Sequence, residues 1–125
     1  MTSKLRLSLL LSIVVLSAPA RAACMTTAYR FHSNGDTVAT RELLASGERC
    51  FHTLRTNRTH PANVYTGVSV EQRPSHGTVT IGAAGFQYQS QSGYRGTDSY
   101  SVRICMRFPR GGRGCSVVVF DSTIE

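Results

Sequence analysis

The sequence predicts an all-β sandwich of about seven short strands, stabilised by two disulfides. Runs rich in Val, Thr, Tyr, Phe and Ile recur between turn residues at short, regular spacing through about 100 residues. Four cysteines follow an export leader with none left over. Only one short stretch, "TRELLASG", has the composition of a helix.

The elements follow in order. Lys4 and Arg6 precede an apolar run from Leu7 to Leu16, then Ser17, Ala18, Pro19 and Ala20-Arg21-Ala22. This is the layout of a secretory signal peptide spanning residues 1–22. The run is about half of the roughly 20 residues that a membrane-spanning helix needs, so no transmembrane anchor is expected. Small residues before Cys24 would also suit a lipid-modified cysteine, but Arg21 stands where such sites carry a large aliphatic residue.

Residues 23–125 are long enough for one domain and too short for two. They carry 11 arginines against 7 acids, a formal charge of +4, and no lysine. The missing lysine excludes Schiff-base, Ser-Lys and P-loop chemistry. Export removes the context in which "RGGRG" would suggest RNA, so no nucleic acid is expected. The domain is expected to be a monomer without a cofactor, in the periplasm or outside the cell.

Strands are expected at "TTAYRF" before Ser33-Asn34-Gly35-Asp36, "CFHTLR" before "TNRTHP", and "VYTGVSV" before "QRPSHG". Others follow at "TVTI" before Gly82, "GFQYQS" before "QSGYRG", and the final pair "DSYSVRIC" and "CSVVVFD". "TRELLASG", ending on Gly47, would make one or two helical turns.

Cys105 and Cys115 flank the turn "MRFPRGGRG". If they face each other across an antiparallel hairpin, Ile104 meets Ser116, Val102 meets Val118 and Tyr100 meets Phe120. One face is then apolar. The other takes Arg103 with Val117, Ser101 with Val119 and Ser99 with Asp121. A slip of one residue would destroy this segregation, so the register and the Cys105–Cys115 pairing support each other. Elimination pairs Cys24 with Cys50. Zinc is disfavoured because no close Cys-x-x-Cys pair exists.

One region resembles a known family. "RPSHGTVTIGAAGFQYQSQSGYRGTDSYSVRI" is similar to the repeat of bacterial immunoglobulin-like and cadherin-like domains of surface and secreted proteins. The matching positions are Pro74, His76, Gly77, Thr78 and Val79, then Phe86 and Tyr88. Gly93, Tyr94, Gly96, Thr97, Asp98, Ser99 and Tyr100 complete the match. The resemblance implies an immunoglobulin-like β-sandwich serving adhesion, display or spacing, without a shared catalytic site. It departs in lacking Asp-rich calcium linkers and in replacing the last turn with the cysteine-flanked loop.

Catalytic groupings are poorly supported. The histidines are His32, His52, His60 and His76, with no Gly-x-Ser-x-Gly elbow. The order Phe-His at residues 31–32 and 51–52 would allow two imidazoles on neighbouring strands, the basis of a small metal-assisted hydrolase as a minor alternative. Glu42, Glu48, Glu71 and Asp98 show no glycosidase-like pairing. "RGTD" is not an attachment motif, because Thr97 separates Gly96 from Asp98. Nor does a lysine or helix start follow those glycines to make a phosphate loop. Asn57 opens an acceptor sequon that would matter only in a eukaryotic secretory pathway.

The expected binding element is the loop of residues 106–114, where Arg107, Arg110 and Arg113 surround Phe108. Guanidinium forks suit phosphate, sulfate and carboxylate. The expected partner is a protein or an anionic glycan or envelope component, and no catalytic or metal residue is expected. A periplasmic inhibitor or accessory subunit docking one protein through the same loop is the main alternative.

Overall fold

The computed structural model describes residues 14, 24–54, 64–108 and 110–125. Apart from Val14, the expected leader and its cleavage site lie outside the described residues. So do the Asn57 sequon, His60 and Pro109.

Among the described residues, eight strands form two sheets of a β-sandwich. They are β1 (Cys24–Thr26), β2 (Thr37–Leu44), β3 (Arg49–Thr53), β4 (Val64–Gln72), β5 (Gly77–Gly82), β6 (Gly85–Ser90), β7 (Gly96–Arg107) and β8 (Arg113–Ile124). One sheet has the order β1-β2-β8-β7-β4 and the other β3-β6-β5. Among the described residues there is no helix, and none long and apolar enough to cross a membrane.

The long hairpin β7–β8 organises the larger sheet. Its register pairs Tyr100 with Phe120, Val102 with Val118, Ile104 with Ser116 and Cys105 with Cys115. Period-two alternation therefore sends Tyr100, Val102, Ile104, Val118 and Phe120 inward, all fully buried. From the smaller sheet Cys50, Phe86 and Tyr88 face them. The rings of Tyr88, Tyr100 and Phe120 stack in sequence with centroids 4.8 Å apart at each step.

Two expectations are corrected. The first half of "TRELLASG" completes strand β2 and does not form a helix. Eight residues are too few for a helix to hold itself in water. As a strand the segment pairs in parallel with β8 along its whole length, from Thr37 with Val117 to Leu44 with Ile124. "TTAYRF" is not a strand beyond Thr26. Tyr29 instead sets its ring edge against Phe120, at 5.5 Å, so its aromatics cap the core from a loop.

Both disulfides are present, Cys24–Cys50 and Cys105–Cys115. The first ties the five-stranded sheet to the three-stranded one. The second lies within the β7–β8 hairpin on the outer face of the larger sheet.

The positions carrying the family resemblance do structural work. Asp98 is buried on β7, and its carboxylate accepts hydrogen bonds from the backbone N–H groups of Ser75, His76 and Ser99 at 3.0, 3.0 and 2.9 Å. The Tyr88 hydroxyl donates a fourth, at 2.7 Å. The Tyr94 hydroxyl donates to the Thr97 carbonyl at 2.6 Å, and its ring stacks on His76 with centroids 3.8 Å apart. Gly93 and Gly96 have φ of 84° and 140°, which glycine tolerates best. At Gly77 any Cβ would fall on the ring of Tyr88.

Candidate functional site

The arginine loop stands at the end of the β7–β8 hairpin. Arg107 and Arg113 are directly opposite each other, the last pair before the turn. The turn closes with Phe108 N–H donating to the Gly112 carbonyl at 3.0 Å and Gly111 N–H donating to the Phe108 carbonyl at 3.1 Å. Gly111 and Gly112 take φ of 93° and 91°, a backbone that side-chain-bearing residues resist. Gly111 and Gly112 of "RGGRG" are therefore explained by the turn itself, and Gly114 by the Ser33 carbonyl, which a Cβ there would strike.

Arg107, Arg110 and Arg113 are exposed, whereas Phe108 is half-buried. A Cβ at Gly114 would lie 3.0 Å from the Phe108 ring. Phe108 is therefore folded back toward the hairpin, and the guanidinium groups are what the tip presents.

Sequence reasoning missed Arg103 as a member of this group. Positions 103, 105 and 107 share one face of β7, and 113, 115 and 117 the same face of β8. Arg103, Arg107 and Arg113 thus flank the Cys105–Cys115 disulfide on the outer face of the sheet. The period-two rule applied to the hairpin register was the signal that could have found it. Arg103 also approaches Glu71, with Nε 3.5 Å from the carboxylate. A surface cavity of about 370 Å³ beside this face is lined by Asp36, Arg103, Arg113 and Cys115, among others. Asp36 there accepts a short hydrogen bond from the Ser116 hydroxyl.

No family model matches the chain, and no curated protein matches it either.

A second polar cluster lies inside the sandwich. Glu42 on β2 is almost fully buried; its carboxylate accepts from the Ser122 hydroxyl at 2.7 Å and contacts His52 Nε2 at 3.1 Å. The Tyr100 hydroxyl lies 3.5 Å from the same nitrogen. Burial, then the Glu42 charge and its hydrogen bond, push the Tyr100 phenol well above its ordinary value. Burial and the bond to Asp98 do the same to Tyr88.

Serine, glutamate and histidine occur together here, but the order is wrong for nucleophilic catalysis. Ser122 bonds to Glu42 and not to the imidazole, so the serine–histidine contact of a catalytic relay is not formed, and all three groups are enclosed. His32 is exposed, while His52 is buried against Phe86, with ring centroids 4.8 Å apart. Among the described residues, the one cluster of three possible metal ligands is Cys24, Glu42 and Cys50. Its two sulfurs are joined to each other, which takes them out of metal chemistry.

Proposed function

We propose that the chain is an exported, non-catalytic, immunoglobulin-like binding or structural module of the bacterial cell envelope or extracellular space. It contacts an anionic partner through the arginine hairpin 106–114.

The immunoglobulin-like reading is supported by strand order. Sheets β3-β6-β5 and β4-β7-β8 follow the B-E-D and C-F-G orders of a constant-type domain. Here β1 and β2 are added along β8. Two disulfides fit an oxidising compartment, in keeping with the leader-like N-terminal segment. The enclosure of Glu42, His52 and Ser122 supports a non-catalytic role.

One observation carries the choice of partner. Arg107 and Arg113 stand directly opposite each other, and residues 105–115 contain no carboxylate. Like charges across a strand pair repel. An anion bound between them would replace that repulsion with charge-assisted hydrogen bonds.

The test is to replace Arg107, Arg110 and Arg113 with serine and measure binding to dextran sulfate, to uncharged dextran and to envelope fractions at increasing salt. The native protein should bind the sulfated polymer with affinity falling as salt rises, and the variant should lose most of that binding. Equal binding by both proteins would refute the anionic-partner reading.

A further inference from the structure

We infer that Cys24, Glu42 and Cys50 form a zinc-type binding site in the reduced chain, so that the same two cysteines hold the sheets together either by a disulfide or by a thiophilic divalent cation. This does not rest on the arginine hairpin, which lies on the outer face of the larger sheet and shares no residue with the site.

Three consecutive strands bring the donors together. Cys24 is on β1, Glu42 on β2 and Cys50 on β3. In the β1–β2 register Cys24 pairs with Leu44 and Thr26 with Glu42. Leu44 and Glu42 are both buried, so alternation turns this face of the pair toward the core. Cys50 arrives from the opposing sheet. The two sulfurs and a carboxylate oxygen of Glu42 all lie within 4.8 Å of one another. A tetrahedral ion with bonds of about 2.3 Å to sulfur and about 2.1 Å to oxygen needs its donors roughly 3.6–3.8 Å apart. The sulfurs can take that spacing once the bond between them is broken.

Glu42 sets this bridge apart from the other. Among the described residues, no carboxylate or imidazole forms such a group with Cys105 and Cys115. A buried carboxylate is costly unless it is compensated, and a disulfide has no hydrogen to donate to it. Glu42 accepts one hydrogen bond from Ser122 at 2.7 Å and contacts His52 Nε2 at 3.1 Å. These use two of a carboxylate's roughly four acceptor positions, which leaves lone pairs for a cation. Ser122 and His52 then orient the carboxylate as outer partners orient a metal ligand. Two thiolates with one carboxylate favour zinc over calcium or magnesium, which take oxygen donors. Three protein ligands leave the fourth position to water. Cys24 is half-buried and gives the ion a route from solvent, whereas Cys50 and Glu42 are enclosed.

Every disulfide is made from two thiols, so the reduced form precedes the bridged one in the life of the chain. A dithiol reductant restores it. The reductant gives two electrons and two protons to the Cys24–Cys50 bond, which breaks to two thiols, while the reductant closes to its own disulfide. A divalent ion then displaces the two thiol protons and forms two metal–sulfur bonds and one bond to Glu42. Ion and bridge exclude each other, because both use the same sulfur atoms.

The experiment reduces the full chain with dithiothreitol, removes the reductant by gel filtration without oxygen, and titrates with Co²⁺ and then Zn²⁺. The reduced protein should take up a single ion with thiolate charge-transfer and tetrahedral d–d absorption, and lose both bands to Zn²⁺. The oxidised protein should show neither band. Cys24→Ser and Cys50→Ser should each abolish the signal. Glu42→Gln should weaken binding by more than the tenfold or so that loss of an outer partner costs. Serine at both Cys105 and Cys115 should leave it unchanged. Circular dichroism follows folding throughout, and a reduced chain that has unfolded should refold when Zn²⁺ is added. The inference is overturned if the reduced protein gives no thiolate band with Co²⁺, or if Cys24→Ser, Cys50→Ser or Glu42→Gln binds as tightly as the native chain. It is also overturned if the Cys105 and Cys115 serine pair abolishes binding, since the ion would then sit on the other two sulfurs.

Discussion

The Tyr88 hydroxyl on β6 donates a 2.7 Å hydrogen bond to the Asp98 carboxylate on β7, linking the two sheets through the core. Three backbone N–H groups converge on the same carboxylate. Replacing Asp98 with alanine would leave a buried hydroxyl and several amides without an acceptor. Each such loss costs about 1–3 kcal/mol. Asp98→Ala should therefore lower the unfolding free energy by on the order of 4 kcal/mol in urea titrations, and Tyr88→Phe by about 1–2 kcal/mol.

Alkaline pH should unfold the protein in a defined way. The phenols of Tyr88 and Tyr100 are raised in the folded state, while in the unfolded chain they titrate near the ordinary value of about 10. The unfolded state then releases protons that the folded state keeps. Their contribution is fully present below about pH 10 and is lost as pH rises above it, at up to ~1.4 kcal/mol per pH unit for each phenol. Absorbance of ionised tyrosine should appear for these two groups together with unfolding, and Tyr100→Phe should make the loss of stability shallower.

The buried Glu42–His52 contact predicts an asymmetry. Glu42 is held by His52 and Ser122, so removing one partner leaves a carboxylate short of compensation in the core. His52→Ala should cost about 3–5 kcal/mol. Ser122→Ala, which removes one hydroxyl donor, should cost less, about 1.5–3 kcal/mol. Chemical denaturation of the two variants would measure the difference.

The disulfides should differ in value. Cys24 and Cys50 are 26 residues apart, Cys105 and Cys115 are 10 apart. By loop-closure entropy, serine pairs at these sites should cost about 3.5 and about 2.7 kcal/mol respectively. Loss of the Cys105–Cys115 bridge should also weaken anion binding at the arginine tip, because the opposed Arg107 and Arg113 are then held less firmly.

The arginine pair predicts an unusual sign. In the absence of a partner, Arg113→Ser should leave stability unchanged or raise it by a few tenths of a kcal/mol at low salt, since it removes a cross-strand repulsion. At 1 M salt, where the screening length is about 3 Å, that difference should vanish in paired melting curves.

Much of the fold was legible in local pattern. The register of β7 and β8 could be read because two cysteines and three apolar pairs demand the same alignment, and a slip inverts every side chain. The arginine tip was legible for the same reason, since its position follows from the hairpin. Strand β2 was not, because the partner that stabilises it, β8, lies some 80 residues away in sequence. The outward direction of Phe51 was equally hidden. Nothing in "RCFHTLR" says that its phenylalanine faces solvent while the neighbouring histidine faces the core.

By itself, then, the sequence determined the all-β class, the strand-rich hairpin and its register, and the turn glycines. All of these depend on residues near one another along the chain, where alternation and backbone preference act directly. Only the tertiary structure decided that β2 is a strand and that Glu42, His52, Ser122 and Tyr100 meet in the core. It likewise decided that Phe51 faces solvent while His52 faces the core. The physical reason is that these juxtapositions arise from pairing between strands remote in sequence. Their energies appear only when the two sheets close on each other.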